Sequence, residues 1–149
     1  MEDDLSHPKL SSAERVSAEA HASFHRLFGG QEYEPGVEYA ERRVLFPDLL
    51  RRMCDAAPWL LNAVEESRSL CAARQDRPHD FSHILRALSW AVRLWLREEE
   101  RADLEIVLAG ILFHDAIVHR KNDPRAKGDT EASASLAAER LPALGFPAA

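Results

Sequence analysis

The chemistry-bearing residues of this chain centre on one pair, His114-Asp115, an imidazole and a carboxylate set together in its most apolar stretch, Leu104 to Val118. An unpaired carboxylate buried in such surroundings would cost several kcal/mol. A divalent cation removes that problem, because it takes imidazole nitrogen and carboxylate oxygen together and replaces the lost hydration. Neighbours on a helix diverge by about 100°, yet side chains of this length can converge on one ion beyond a helix end. His83, on an inner helix packed alongside, is the third candidate donor. A mixed nitrogen and oxygen set favours Mn, Fe, Co or Mg over a structural zinc held by thiolates.

Helices must present these side chains, and the chain is patterned for helices, with strand-like alternation nearly absent. Ser11-Ser12-Ala13-Glu14 has capping-box spacing, and Gly29-Gly30 supplies a stop, so a first helix is expected near 11–28. Gln31 to Gly36 reads as a loop, and the helical pattern resumes through Val44 and Leu45 until Pro47 interrupts it. A short helix follows Asp48. Pro58 suits the first turn of the next, whose Trp59, Leu60, Ala63, Val64 and Leu70 recur at helical intervals to about Ala73.

The best-formed amphipathic segment carries Phe81, Ile84, Leu85, Leu88, Val92, Trp95 and Leu96 on one stripe, with Asp80 as its N-cap. His83 lies off that stripe with His79, Arg86, Ala87, Trp90 and Leu94, a face free to border a cleft. Leu104 to Val118 is apolar in every direction of a helical wheel, which predicts a buried helix. His119 to Asp129 turns polar and marks a surface loop, with His119 read as an exposed loop histidine. Asp129 or Thr130 caps a last helix that runs through Leu136, Ala137 and Leu141 to a stop at Gly145.

The run Pro78-His79-Asp80-Phe81-Ser82-His83-Ile84-Leu85-Arg86-Ala87 resembles the first metal-histidine motif of the metal-dependent HD phosphohydrolase superfamily. Ala109-Gly110-Ile111-Leu112-Phe113-His114-Asp115 resembles its namesake motif. The likeness continues through Lys121-Asn122-Asp123-Pro124 and Ser135-Leu136-Ala137-Ala138-Glu139 into Leu144-Gly145-Phe146-Pro147, so it covers the chain from about Pro58 onward and is nearest to small bacterial HD hydrolases. It implies an all-α, HD-domain-like helical bundle over 58–149, preceded by a helical region of unknown role over 1–57. It also implies His83, His114 and Asp115 as metal ligands and hydrolysis of a phosphoester or phosphoanhydride, in a nucleotide or another small phosphorylated metabolite, by a metal-activated water.

Within that reading Asp115 is catalytic as well as a ligand. Lys121, Arg86 and Arg125 are candidates to bind the substrate's phosphoryl oxygens, Lys121 first among them, and Lys127 follows in the same loop. His79 and Asp80 orient or cap the ligand helix. The family pattern ends on a distant aspartate in a later helix, and the sequence stops at Ala149 without it. The bundle is therefore expected to lack the last family helices and to hold three ligands, unless Asp123, Asp129 or Glu131 folds back. The alternative is an inactive HD-like protein that keeps a metal or nucleotide pocket for regulation.

Bulk properties fit this picture. The 149 residues suit one compact domain, and 46% hydrophobic with 30% charged residues is an ordinary globular balance. A net charge of −6 argues against nucleic acid or an anionic membrane as partner. The acidic start, Met1-Glu2-Asp3-Asp4, is unlike a secretory signal, so the reading is cytoplasmic. Cys54 and Cys71 lack metal spacing and read as buried thiols. Apolar surface left uncovered would be met by the first 57 residues or by a second subunit in a homo-oligomer.

Overall fold

A computed structural model describes residues 11–18, 36–39, 42–74, 80–98 and 101–147. Helices make up most of it. In chain order they are α1 over 12–18, α2 (Phe46–Ala56), α3 (Pro58–Ala72), α4 (Phe81–Arg97), α5 (Leu104–Phe113) and α6 (Asp129–Leu144), with a 3-10 helix at Pro124–Gly128. One antiparallel strand pair, β1 (Gly36–Tyr39) and β2 (Arg42–Leu45), sets Val37 opposite Val44 and Tyr39 opposite Arg42. None of the described helices is long and apolar enough to cross a membrane.

Local signals account for most helix ends. The capping box at the start of α1 closes in both directions: Glu14 N–H donates to Ser11 Oγ at 3.2 Å, and Ser11 N–H donates to Glu14 Oε2 at 2.7 Å. Pro58 occupies the first turn of α3, where its missing N–H costs nothing. Asp80 caps α4 by accepting from the His83 amide, and Asp103 caps α5 by accepting from Glu105 and Ile106. Gly145 ends α6 with φ of 90°, a left-handed conformation that glycine adopts without a Cβ clash.

Several expectations change. Val44 and Leu45 belong to a strand rather than a helix, and Pro47 stands in the opening turn of α2 instead of interrupting a pattern. The apolar helix stops at Phe113, five residues short of Val118, because residues 114–118 turn away to meet α6. That helix is buried on one side only, with Ile106 at 62% exposure and Gly110 also open. At the start of α6 neither Asp129 nor Thr130 caps; Gly128 holds the N-cap position and makes no side-chain bond. Of the first helix expected near 11–28, residues beyond 18 lie outside the described set, as do residues 31–35 of the expected loop, whose last residue, Gly36, opens β1.

A single core runs through these elements. Leu60 and Val64 of α3, Ile84, Leu85 and Leu88 of α4, and Leu108 and Leu112 of α5 are buried together. Ala13 and Val16 of α1 and Phe46, Leu50 and Cys54 of α2 join the same cluster, so the core continues across the division expected at residue 57. Both thiols are free and buried, as their positions on apolar faces predicted. The C-terminal end is fixed to α3: Phe146 meets Trp59 edge-on with ring centroids 4.8 Å apart, and Asn62 Nδ2 donates to Leu144 O at 3.1 Å. Against this frame α5 packs on both α4 and α6, and its C-terminal end meets the first turn of α4.

Candidate metal centre

His83 stands in the first turn of α4, and its amide is held by the Asp80 cap at 3.1 Å, which fixes where the ring leaves the helix. His114 and Asp115 follow α5 directly, in the turn that begins as the helix stops. The three side chains meet. His83 Nε2 lies 3.3 Å from His114 Nε2 and 3.3 Å from Asp115 Oδ2, and His114 Nε2 lies 3.2 Å from the same carboxylate oxygen. The group is partly open to solvent, with side-chain exposures of 33%, 35% and 21% in that order.

One hydrogen bond sets the electronic character of the cluster. His114 Nδ1 sits 2.6 Å from Ile111 O. A carbonyl only accepts, so Nδ1 must carry the proton, and in the neutral ring Nε2 then turns a lone pair toward His83 and Asp115. This carbonyl anchor is the support that metal-bound imidazoles usually have. Two imidazole nitrogens and a carboxylate oxygen facing one point repel unless protons or a cation lie between them. At bond lengths of about 2.1 Å a cation touching all three would see donors 3.2–3.3 Å apart at angles of about 100°. That falls between octahedral and tetrahedral values, so the donor types and their spacing both fit a divalent ion with sides left for water.

Three groups that the sequence reading passed over hold the turn in place. Ser133, 2% exposed on α6, accepts from Ile117 N–H at 3.0 Å and lies 3.3 Å from Ile117 O. Ser67, 1% exposed on α3, donates to Leu112 O at 2.9 Å. Arg74 donates to the main-chain carbonyl of Asp115 itself. Each serine falls on the buried stripe of its helix, Ser67 one turn after Ala63 and Ser133 one turn before Leu136 and Ala137, so periodicity alone placed a hydroxyl in the core that needed a partner.

The other expected site residues spread out. Asp80 is the cap, as expected; partial burial pushes its carboxyl upward, but hydrogen bonds from Ser82 and the His83 amide, with the Arg86 charge, hold it below the usual range. Arg86 is half-buried, and its charge acts on Asp80. Lys121 is exposed on the turn before the 3-10 helix, and Lys127 is exposed within it. Arg125 forks onto Asp123, with Nη2 to Oδ2 at 2.6 Å and Nε to Oδ1 at 3.0 Å. His79 lies outside the described residues.

No carboxylate from the polar loop joins the cluster. Asp123 takes Arg125 and caps the 3-10 helix, bonds that drive its carboxyl far below the ordinary value. Asp129 receives the His119 amide at 2.8 Å and contacts the His119 ring through its other oxygen. Those two bonds, led by the ring, lower its carboxyl as well. His119 is therefore a partly buried, paired residue rather than an exposed one. Glu131 is exposed in the first turn of α6. Among the described residues, His83, His114 and Asp115 are the one group of three or more such donors arranged to hold a metal.

Compared with protein-family models, curated proteins and solved structures, the chain finds no match.

Proposed function

We propose that this chain is a metal-dependent phosphohydrolase of the HD type, acting on a nucleotide or another small phosphorylated metabolite. The observation that carries the reading is the convergence of His83 Nε2, His114 Nε2 and Asp115 Oδ2 within 3.3 Å of one another, with His114 held in the ligating tautomer by Ile111 O. A divalent ion bound there would supply an activated water for attack on phosphorus. His83, His114 and Asp115 would hold the ion, with the Asp115 charge beside the protons of that water. Lys121 is the cation assigned to the phosphoryl oxygens, because Arg125 would have to leave Asp123 first. Arg86, one turn after His83 on α4, is the second candidate for those oxygens.

The test uses purified chain loaded with Mn(II) or Co(II) and a panel of phosphomonoesters, a phosphodiester and nucleotides. Turnover that disappears in His114→Ala supports the reading. Turnover no greater than that variant's excludes it.

A second reading has its own observation. The described donor set stops at three, with Asp123 and Asp129 engaged elsewhere. A protein of this kind that holds a metal or nucleotide for regulation, without hydrolysis, would take up the ion stoichiometrically and show no turnover on the same panel.

A further inference from the structure

Beside the cluster, a cleft of about 410 Å³ opens between α5 and α6, within the usual size range of small-molecule sites. His114 forms part of its wall, so the cleft borders the candidate metal centre on that side. The rest of the lining is apolar: Ile106, Gly110 and Phe113 on one side, Ala137, Leu141 and Phe146 on the other. Besides His114 the polar side chains are Thr130 and Ser133, and the Ser133 hydroxyl is already taken by Ile117. A nucleobase seated here would find few polar side chains for its ring nitrogens and exocyclic groups, and each one buried without a partner would cost on the order of tenfold in affinity. An alkyl or aryl group would lose nothing.

Gly110 adds an independent observation. It stands inside α5, where glycine is a poor helix former, and a Cβ built on it meets nothing within 4 Å. Among the described residues no packing calls for the missing side chain. Its absence deepens the cleft.

We propose that this cleft is the leaving-group pocket, and that the substrate is a phosphate monoester of an apolar alcohol rather than a nucleotide. The inference rests on the phosphohydrolase reading and names the substrate class for it. In the reaction the bond from phosphorus to the ester oxygen breaks and a bond from the water oxygen to phosphorus forms. One water proton ends on the departing alkoxide, giving the free alcohol and hydrogen phosphate.

The experiment measures binding of butyl, hexyl and octyl phosphate, with adenosine monophosphate for comparison, by calorimetry on the Mn(II)-loaded chain and on Gly110→Leu. Affinity is expected to rise about fourfold for each added methylene. In Gly110→Leu that gradient should vanish, while Mn(II) uptake and melting temperature stay at or above those of the parent, since leucine is the better helix former. Affinity independent of chain length in a protein that still binds Mn(II) and hydrolyses a simple phosphoester overturns this inference and leaves the phosphohydrolase reading standing. A graded affinity with no turnover supports the pocket and counts against the hydrolase. A dimer that Gly110→Leu splits into monomers assigns the cleft to a second copy of the chain and overturns the proposal.

Discussion

Ser133 of α6 grips Ile117 by both main-chain groups, taking its N–H at 3.0 Å and lying 3.3 Å from its carbonyl. Through this grip the turn that carries His114 and Asp115 is tied to a helix that contributes no ligand. Ser133→Ala leaves a part-buried N–H unpaired and should cost about 1–3 kcal/mol, read as a lower melting temperature. Mn(II) affinity should fall with it. Ser133→Thr, which keeps the hydroxyl, should restore part of both, and an alanine variant as stable as the parent would show that the tie carries no energy.

Metal loading should stabilise the chain through the three ligands. At a free ion concentration of about a hundred times Kd, binding adds about 2.7 kcal/mol. For a chain of this size that is a rise of roughly 5–10 °C in melting temperature. Chelator should reverse it, and His114→Ala should show no rise. An equal rise in the variant would place the ion elsewhere.

The Asp129 carboxyl lies below its unfolded value because the His119 ring and amide hydrogen-bond to the charged form. Its contribution is therefore complete above the unfolded value of about 3.9 and is lost as pH falls through the lower folded value. Asp129→Asn should melt below the parent at about pH 6, and the gap should close steadily under about pH 4. A gap unchanged in acid would mean that the carboxylate is not what fastens the loop.

Gly145→Ala should destabilise by about 1 kcal/mol. Space is not the reason, since a Cβ there would sit an ordinary 3.7 Å from Trp59 Cβ. The cost is the φ of 90°, which alanine resists. Calorimetric melting checks it, and an alanine variant of equal stability would mean that the turn does not need this conformation.

His83, His114 and Asp115 were legible as a set because two of them sit against an otherwise apolar helix and the third departs from an amphipathic stripe. Asp80 and the Ser11–Glu14 box were legible because caps are local, set by residues within three positions. The end of α5 was not, since apolar residues resume at Ala116, Ile117 and Val118 beyond the His-Asp pair; contacts from distant α3 and α6 hold the chain where the helix ends. The strand pair β1–β2 escaped because Arg42-Arg43-Val44-Leu45 does not alternate apolar with polar residues and four positions are the least in which alternation can be read. His119 looked like a loop residue because its partner, Asp129, lies ten positions away.

His83 belongs to two structures at once. Its amide completes the Asp80 cap and its ring faces the cluster, so the first turn of α4 cannot fray without carrying the imidazole away from its companions. With a cation bound at the cluster, helix initiation and ion capture would be one linked equilibrium, and linkage is reciprocal. Anything that steadies this first turn would then raise affinity for the ion by the same factor by which the ion steadies the turn.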